Sequence, residues 1–445
     1  MDMIDLQLLF AVLAGIGILL FLILHFKIQA FLALLLSSIA VGLMAGMEPT
    51  TIMDSIKTGM GNTLGFVATV VGLGAIFGAI LEQSGAAGAL ANFFLKKMGE
   101  EKAPWAMTIT GFIVAIPVFF DVAFIILVPL IYSLQRKSGK SLYLFAIPLL
   151  AGLAATHSFI PPTPGPVAVA DILGADLGLV ILFGFIVGIP AVIISGPLLA
   201  KRLAEQTYIA APPLEEEDKV KTLNLNLAPV LAIIAVPIVL IVLNTMSKTW
   251  LETGVLKNWL EFFGHPFSAL IIANLLAWYF MGIRNGYSKE ALSEISTKSL
   301  APAGIIILLT GAGGVFKQIL MDTGTGQMLA DAFANNLSSP FIFAFVMAAL
   351  MRVVQGSATV AMITSAGMTA ALIASADLSS AQLALLVIAI ASGATVLSHV
   401  NDSGFWLINR YLGLSVKQTF RSWTVMTTLL GISSFIIAII LAYFV

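Results

Sequence analysis

The sequence predicts an all-α polytopic membrane protein: two inverted-topology repeats of about five transmembrane helices each, one re-entrant hairpin per repeat, and helices broken at the midplane. Three observations predict this class. Hydrophobic residues make up 59% of the 445 and charged residues only 10%, against roughly 25% charged usage in soluble domains. One segment occurs twice: residues 72 to 94 align with 311 to 333 at an offset of 239, with identity at nine of 23 positions, including Gly72/Gly311, Phe77/Phe316, Leu81/Leu320 and Phe94/Phe333. Further on, Pro104 pairs with Pro340, His157 with His399, and Leu173-Gly174 with Leu412-Gly413. Third, the basic residues bracket opposite elements in the two copies.

Uncharged stretches able to cross the hydrocarbon core, which takes about 20 apolar residues, recur along the chain. They run between Asp5 and Lys27, Lys27 and Glu48, Lys57 and Glu82, Asp176 and Lys201, Lys221 and Lys248, Glu261 and Arg284, Lys298 and Lys317, and from Arg421 to Val445. The acidic start MDMIDLQ, with no A-x-A site after the first apolar run, does not fit a cleaved signal peptide.

Lys and Arg mark the cytoplasmic side. Lys96, Lys97 and Lys102 precede the segment 104–135, and Arg136, Lys137 and Lys140 follow it, so both its ends read as cytoplasmic. The equivalent segment 340–376 is bracketed by Asp331 and Asp377 and reads as entering from outside. Downstream the switch recurs: Asp171 and Asp176 in the first copy stand against Arg410, Lys417 and Arg421 in the second. Inverted repeats require this reversal, and parallel ones do not give it. The expected organisation is therefore a first repeat over 1–200, a polar cytoplasmic linker over 201–225 that reads as a tether, and a second repeat over 226–445, with both termini outside.

Two kinds of segment do not fit simple spans. Residues 104–135 are too long for one crossing and too short for two, with Pro117 and Asp121 in the middle, and 340–376 is its partner. Hairpins turning back near mid-membrane place Phe119-Phe120-Asp121 at one tip and Gln355 to Thr359 at the other. The second kind follows each hairpin: helix breaks over 156–166, where Pro161, Pro162, Pro164 and Pro166 cannot continue a helix, and over 398–405. Broken backbone at membrane depth is tolerated only where it is buried or lines a cavity. The tips and breaks are therefore expected to converge on a midplane site.

The polar residues there are the candidates. Asp121 and Asp402 are carboxylates at membrane depth, where a charge costs at least about 2.5–3.5 kcal/mol on insertion scales; for Asp121 proton coupling and helix capping are compatible roles, and for Asp402 helix capping is the alternative to proton coupling. His157 also enters the proton-coupling set. For substrate contact the candidates are Thr156, His157, Ser158 and Thr163 in the first half, and Arg352, Ser357, Thr359, His399, Asn401 and Ser403 in the second. Arg352 either counters a substrate carboxylate, pairs with Asp402 or pins the hairpin. His25 and His265 sit at span ends and read as interfacial, and Lys317 reads as snorkelling.

Other chemistries are excluded on context. The GAGGVFK string at 311–317 lacks the ending of a phosphate loop, and Gly72-x-Gly74 has no strand before it, so both read as close helix packing. No metalloprotease or nucleophile-elbow motif occurs, and no His cluster at metal-ligand spacing. With no cysteine there is no disulfide or thiol chemistry, and a net charge of −1 leaves no footprint for nucleic acid. No metal or cofactor is expected. A duplicated half inside a membrane chain is the mark of a secondary transporter. An intramembrane enzyme using Asp and His as acid and base is the competing class, and equivalence of the two faces would give an enzyme no advantage.

Several long strings, ATHSFIPPTPGPVAVADILGADLG at 155–178, FFDVAFIILVPL at 119–130, GSATVAMITSAG at 356–367, LSHVNDSGFW at 397–406 and KTGMGNTLG at 57–65, resemble the gluconate permease (GntP) family of proton symporters. The resemblance spans almost the whole chain. It implies symport of gluconate or a related small sugar acid with protons, a fold similar to the ion transporter superfamily, a homodimer, and a place in the bilayer of the bacterial inner membrane. The alternative on the same scaffold is a sodium-coupled carboxylate or D-amino-acid symporter. Gluconate transporters of the family tend to carry Glu at the position of Asp121 and PPHPGP where this chain has Pro161 to Pro166, departures that bear on which acid is carried.

Overall fold

The computed structural model describes residues 3–212, 227–324, 338–373, 376–400 and 402–445, and their regular structure is entirely helical. Linker residues 213–225, Asp331 and Asn401 lie outside the described residues.

In the first half, α1 (Met3–Leu24), α2 (Ala30–Met44) and α3 (Pro49–Gln83) are followed by α4 (Ala86–Met98), α5 (Ala103–Val114) and α6 (Phe120–Ser138). Next come α7 (Tyr143–Phe159), α8 (Pro164–Leu173) and α9 (Leu177–Gln206), the last containing a wide turn at Ile194–Leu198. In the second half, α10 (Leu227–Trp250), α11 (Val255–Gly264), α12 (Pro266–Asn285) and α13 (Lys289–Asp322) precede α14 (Ser338–Gln355) and α15 (Ala358–Leu372). The chain ends with α16 (Ser380–Thr395), α17 (Ser403–Tyr411) and α18 (Val416–Ala442).

Helix starts follow local chemistry. Proline occupies the first turn of α3, α5, α8 and α12, where its missing N–H would have no intrahelical partner. Asp176 caps α9 by accepting from the Gly178 and Leu179 amides at 2.9 and 3.1 Å, and Ser379 with Gln382 forms a reciprocal capping box on α16.

Among the described residues, seven helical stretches are long and apolar enough to cross a membrane: Pro49–Gln83, Tyr143–Leu173, Leu177–Gln206, Leu227–Lys248, Pro266–Asn285, Lys289–Asp322 and Val416–Ala442. The protein is thus a multi-pass membrane protein. Tyr143–Leu173 is interrupted at Ile160 to Thr163, so the first break is narrower than the 156–166 read from the sequence, and Thr156, His157 and Ser158 are still helical. The second break falls between Thr395 and Ser403, which places Ser403 to Phe405 inside α17.

The longest helices, α3 and α13, are also the elements that contain the start of the duplicated sequence, and they pack along one another. Their backbones touch: a Cβ on Gly59 would lie 2.7 Å from the Gly314 carbonyl oxygen, and one on Gly314 would lie 2.8 Å from that of Gly59. Around this pair contacts are reciprocal. α2 packs on α13 and α12 on α3; α5 packs on α7 and α14 on α16; α9 packs on α16 and α18 on α7.

Two readings change. Lys317 does not snorkel: its Nζ donates to the Ile172 carbonyl at 2.5 Å, at the end of α8, in a half-buried setting. A buried carbonyl at a helix C-terminus offers an ammonium more than the longer reach to water does. The start of the linker is no loose tether either. Residues 201–206 continue α9, and 207–212 lie across the α6–α7 turn. There the Leu142 amide donates to the Ile209 carbonyl at 2.8 Å, the Ile209 amide to Ser141 Oγ at 3.1 Å, and the Ala211 amide to Gln135 Oε1 at 3.2 Å. Arg136 completes the strap by donating to the Pro212 carbonyl.

Candidate functional site

One cavity of about 390 Å³ lies where the interrupted helices meet, within the roughly 300–1,000 Å³ range of small-molecule sites. Three helix N-termini face it. Phe120 and Asp121 begin α6, Ala358 and Thr359 begin α15, and Ser403 and Gly404 begin α17, and all six residues line the cavity. Three helix C-termini meet it as well, through His157 and Ser158 of α7, Arg352 and Gln355 of α14, and Thr395 of α16. Thr395 Oγ1 donates to Ser158 Oγ at 3.1 Å, so the two broken helices are joined side chain to side chain.

The three N-termini are finished differently. In α17 Asp402 Oδ1 accepts from the Gly404 amide at 3.0 Å, and in α15 Ser357 Oγ accepts from the Val360 amide at 3.3 Å. The α6 start has no side-chain cap, because Phe119 stands at the capping position. Its first amides are therefore open donors at the positive end of a helix dipole.

Arg352, on the last turn of α14, is buried with Asp402. Its Nη2 forms an ion pair with Asp402 Oδ2, and its Nη1 donates to the Gly356 carbonyl just past the helix end. Gly356 turns the chain there at φ 77, in the left-handed region that a side chain disfavours. Ser398 also donates to Asp402, Trp423 Nε1 donates to Ser398 Oγ at 2.6 Å, and the Trp423 ring lies 5.4 Å from that of Phe120. The carboxylate of Asp402 is thus held by a guanidinium, a hydroxyl and an amide, which keeps a buried charge paired and hydrogen-bonded. Asp121 is exposed at the open side of the cavity.

Of the residues named from sequence, Asp121, His157, Ser158, Arg352, Ser357, Thr359, Asp402 and Ser403 line this one cavity. Three others do not. Thr156 Oγ1 donates to the Phe112 carbonyl at 2.8 Å and ties α7 to α5. Thr163 donates to the Ile160 carbonyl at 2.7 Å and lines a separate small cavity with Pro117 and Pro162. His399 sits in the second break outside the lining, its carbonyl accepting from the Asp402 amide at 2.9 Å.

Sequence reasoning put Gln355 at the hairpin tip without naming it a contact, and it missed Thr395, Trp423 and Thr427. Gln355 directly precedes the Gly356 turn, so its place beside the hairpin tip was the available signal. Trp423 and Thr427 lie four apart, on one face of a helix, but that spacing in an apolar span reads equally well as packing.

The sequence profile of the GntP family permeases matches residues 6–445. The chain is 39% identical to a low-affinity gluconate transporter of Escherichia coli K12, over 96% of this chain and 97% of that protein. It is 37% identical to the Gnt-II system L-idonate transporter of the same organism (94% and 95% covered) and 36% identical to a gluconate permease of Bacillus subtilis (94% and 96%). Among solved structures, its fold is similar to the YdaH transporter of Alcanivorax borkumensis, with TM-score 0.69 and 13% identity over 93% of this chain and 98% of that one. MtrF of Neisseria gonorrhoeae is similar too, with TM-score 0.66 and 13% identity over 92% and 94%. At that identity the likeness speaks for the fold alone. The sequence relatives are named for transport and not for catalysis, and the match runs the length of the chain: this protein belongs to the GntP permease family and is no enzyme.

Proposed function

We propose that this protein imports gluconate or a related small sugar acid together with protons, by alternating access across the bacterial inner membrane. One observation carries the reading: three helix N-termini, one of them uncapped, meet a buried guanidinium at a single cavity. Helix N-termini and Arg favour an anion, and the hydroxyls of Ser357, Thr359 and Ser403 suit a polyol chain. The relatives named above as gluconate and L-idonate transporters point to the same substrate class.

Proton coupling follows from charge. The lining carries Arg352 against two carboxylates, Asp402 and Asp121, and Asp402 is already paired. A proton on Asp121 removes the repulsion that an incoming carboxylate would meet, so anion and proton each favour the other's binding, a reciprocal coupling.

Alternating access rests on an inverted repeat. Reciprocal packing around α3 and α13 supports it, as does the shortness of α5 and α15. At 1.5 Å per residue their 12 and 15 residues reach about 18 and 22 Å, short of the roughly 30 Å hydrocarbon core, as re-entrant arms would be. The two sides differ: α8 packs along α15, whereas the corresponding pair, α17 and α6, meets chiefly at Tyr411, through the Tyr132 hydroxyl and a ring contact with Phe124 at 6.0 Å. Exchange of these two arrangements would alternate access. Both termini lie outside in this reading, and the protein works as a homodimer.

The test is uptake by proteoliposomes. Labelled gluconate should accumulate when the lumen is alkaline, should exchange in counterflow without a gradient, and should leave unaltered. Accumulation driven by a sodium gradient at equal pH would replace the proton by sodium.

A further inference from the structure

Several polar groups of the cavity lining are bonded to the protein. Ser158 accepts from Thr395, Ser357 from the Val360 amide, and Asp402 from Arg352, Ser398 and the Gly404 amide. Gln355 is different. Its Oε1 and Nε2 are both buried, both belong to a side chain that lines the cavity, and neither has a hydrogen-bond partner among the described residues. Two further buried atoms of lining residues share that condition, Arg352 Nε and His157 Nδ1. A buried donor and acceptor without partners are costly to keep, so a group in this state at a cavity wall is matched by what enters the cavity.

The chemistry of these atoms sorts them. Arg352 Nε can only donate, which suits an acceptor such as a carboxylate oxygen. A carboxamide presents a donor and an acceptor side by side, and a carboxylate, which only accepts, leaves Oε1 unsatisfied. The complement is a group that donates and accepts within the same few ångströms, and two hydroxyls on adjacent carbons do so. Gln355 is also held in place. It ends α14, and Arg352, three residues back on the same helix, binds the Gly356 carbonyl that follows it.

We propose that Gln355 is a specificity-determining residue: its carboxamide reads a pair of neighbouring hydroxyls on the substrate, so that the cavity selects polyhydroxy acids over unsubstituted acids of equal length. This rests on the sugar-acid reading above and sharpens it. A site built around an unpaired amide discriminates mainly against the analogue that leaves the amide unpaired, more than it favours the correct ligand through contact area.

The experiment measures binding of gluconate and of hexanoate, its unsubstituted six-carbon counterpart, to purified wild type and Gln355→Leu in nanodiscs. Wild type should prefer gluconate strongly. In Gln355→Leu gluconate binding should weaken by about ten- to a hundredfold, the range for two lost neutral hydrogen bonds, while hexanoate binding holds or improves. The melting temperature of the ligand-free variant should not fall, because the amide bonds to nothing in the protein, whereas a structural role would lower it. If Gln355→Leu is not recovered folded, Gln355→Met keeps the length without the amide and reads the same ratio. A folded variant that keeps the wild-type preference overturns the role of Gln355 alone. A wild type that binds neither acid overturns the sugar-acid reading as well, and the wild-type measurement alone separates the two failures.

Discussion

Arg352 and Asp402 form a buried ion pair that ties the last turn of α14 to the cap of α17, with side chains 6% and 9% exposed. Both elements end at the cavity, so the pair fixes the distance between two of its walls. Removing one partner strands the other charge, and for a buried pair that costs roughly 3–5 kcal/mol. Arg352→Gln and Asp402→Asn should each lower the melting temperature in detergent, and the double variant should fall by less than their sum. Additive losses would mean that the two side chains act independently.

Asp121 lies at the open side of the same cavity and bonds to no cation among the described residues. Asp121→Asn should therefore abolish accumulation driven by a pH gradient and spare counterflow, because exchange moves no net proton. Uphill uptake that survives in this variant would transfer the coupling role to another group in the lining, with His157 first.

Ser357 and Thr163 separate the cavity from its neighbourhood. Ser357→Ala should weaken gluconate binding by about two- to tenfold, the worth of one neutral hydrogen bond. Thr163→Ala should leave affinity within twofold, since its hydroxyl is engaged by the Ile160 carbonyl and faces a different cavity. Equal losses in binding titrations of the two variants would enlarge the site to include the proline break.

Topology is open to a clean test because the chain has no cysteine. A cysteine introduced at Ser138, at the end of α6, should react with an impermeant maleimide only from the cytoplasm, and one at Ser379, at the cap of α16, only from outside. Labelling of both from one side would remove the inverted repeat.

The features legible in the sequence were those that a membrane makes expensive. Asp121 stood out because a carboxylate in an apolar run has few bland explanations, and the Pro161 to Pro166 run because it must end a helix. The rotational position of each residue was not legible. In Thr156-His157-Ser158 successive side chains point about 100° apart on a helix. Once the helix continues to Phe159, His157 and Ser158 face the cavity while Thr156 turns to Phe112. Reading the break four residues too early hid that geometry. Trp423 and Thr427 were missed for the same reason: which face of a helix meets a cavity depends on partners far away in sequence.

The backbone contact between Gly59 and Gly314 limits where this protein can move. Side chains that interdigitate can change rotamers and slide past one another, but two backbones 2.7–2.8 Å from each other's missing Cβ atoms have no such cushion. In the alternating-access cycle proposed above, the α3–α13 pair would therefore act as an axle that keeps its register. A displacement that opens the cavity in that cycle would be absorbed at looser seams such as the meeting of α6 with α17 at Tyr411, so a bulky residue at Gly59 should impair assembly while a lesion at Tyr411 should impair turnover.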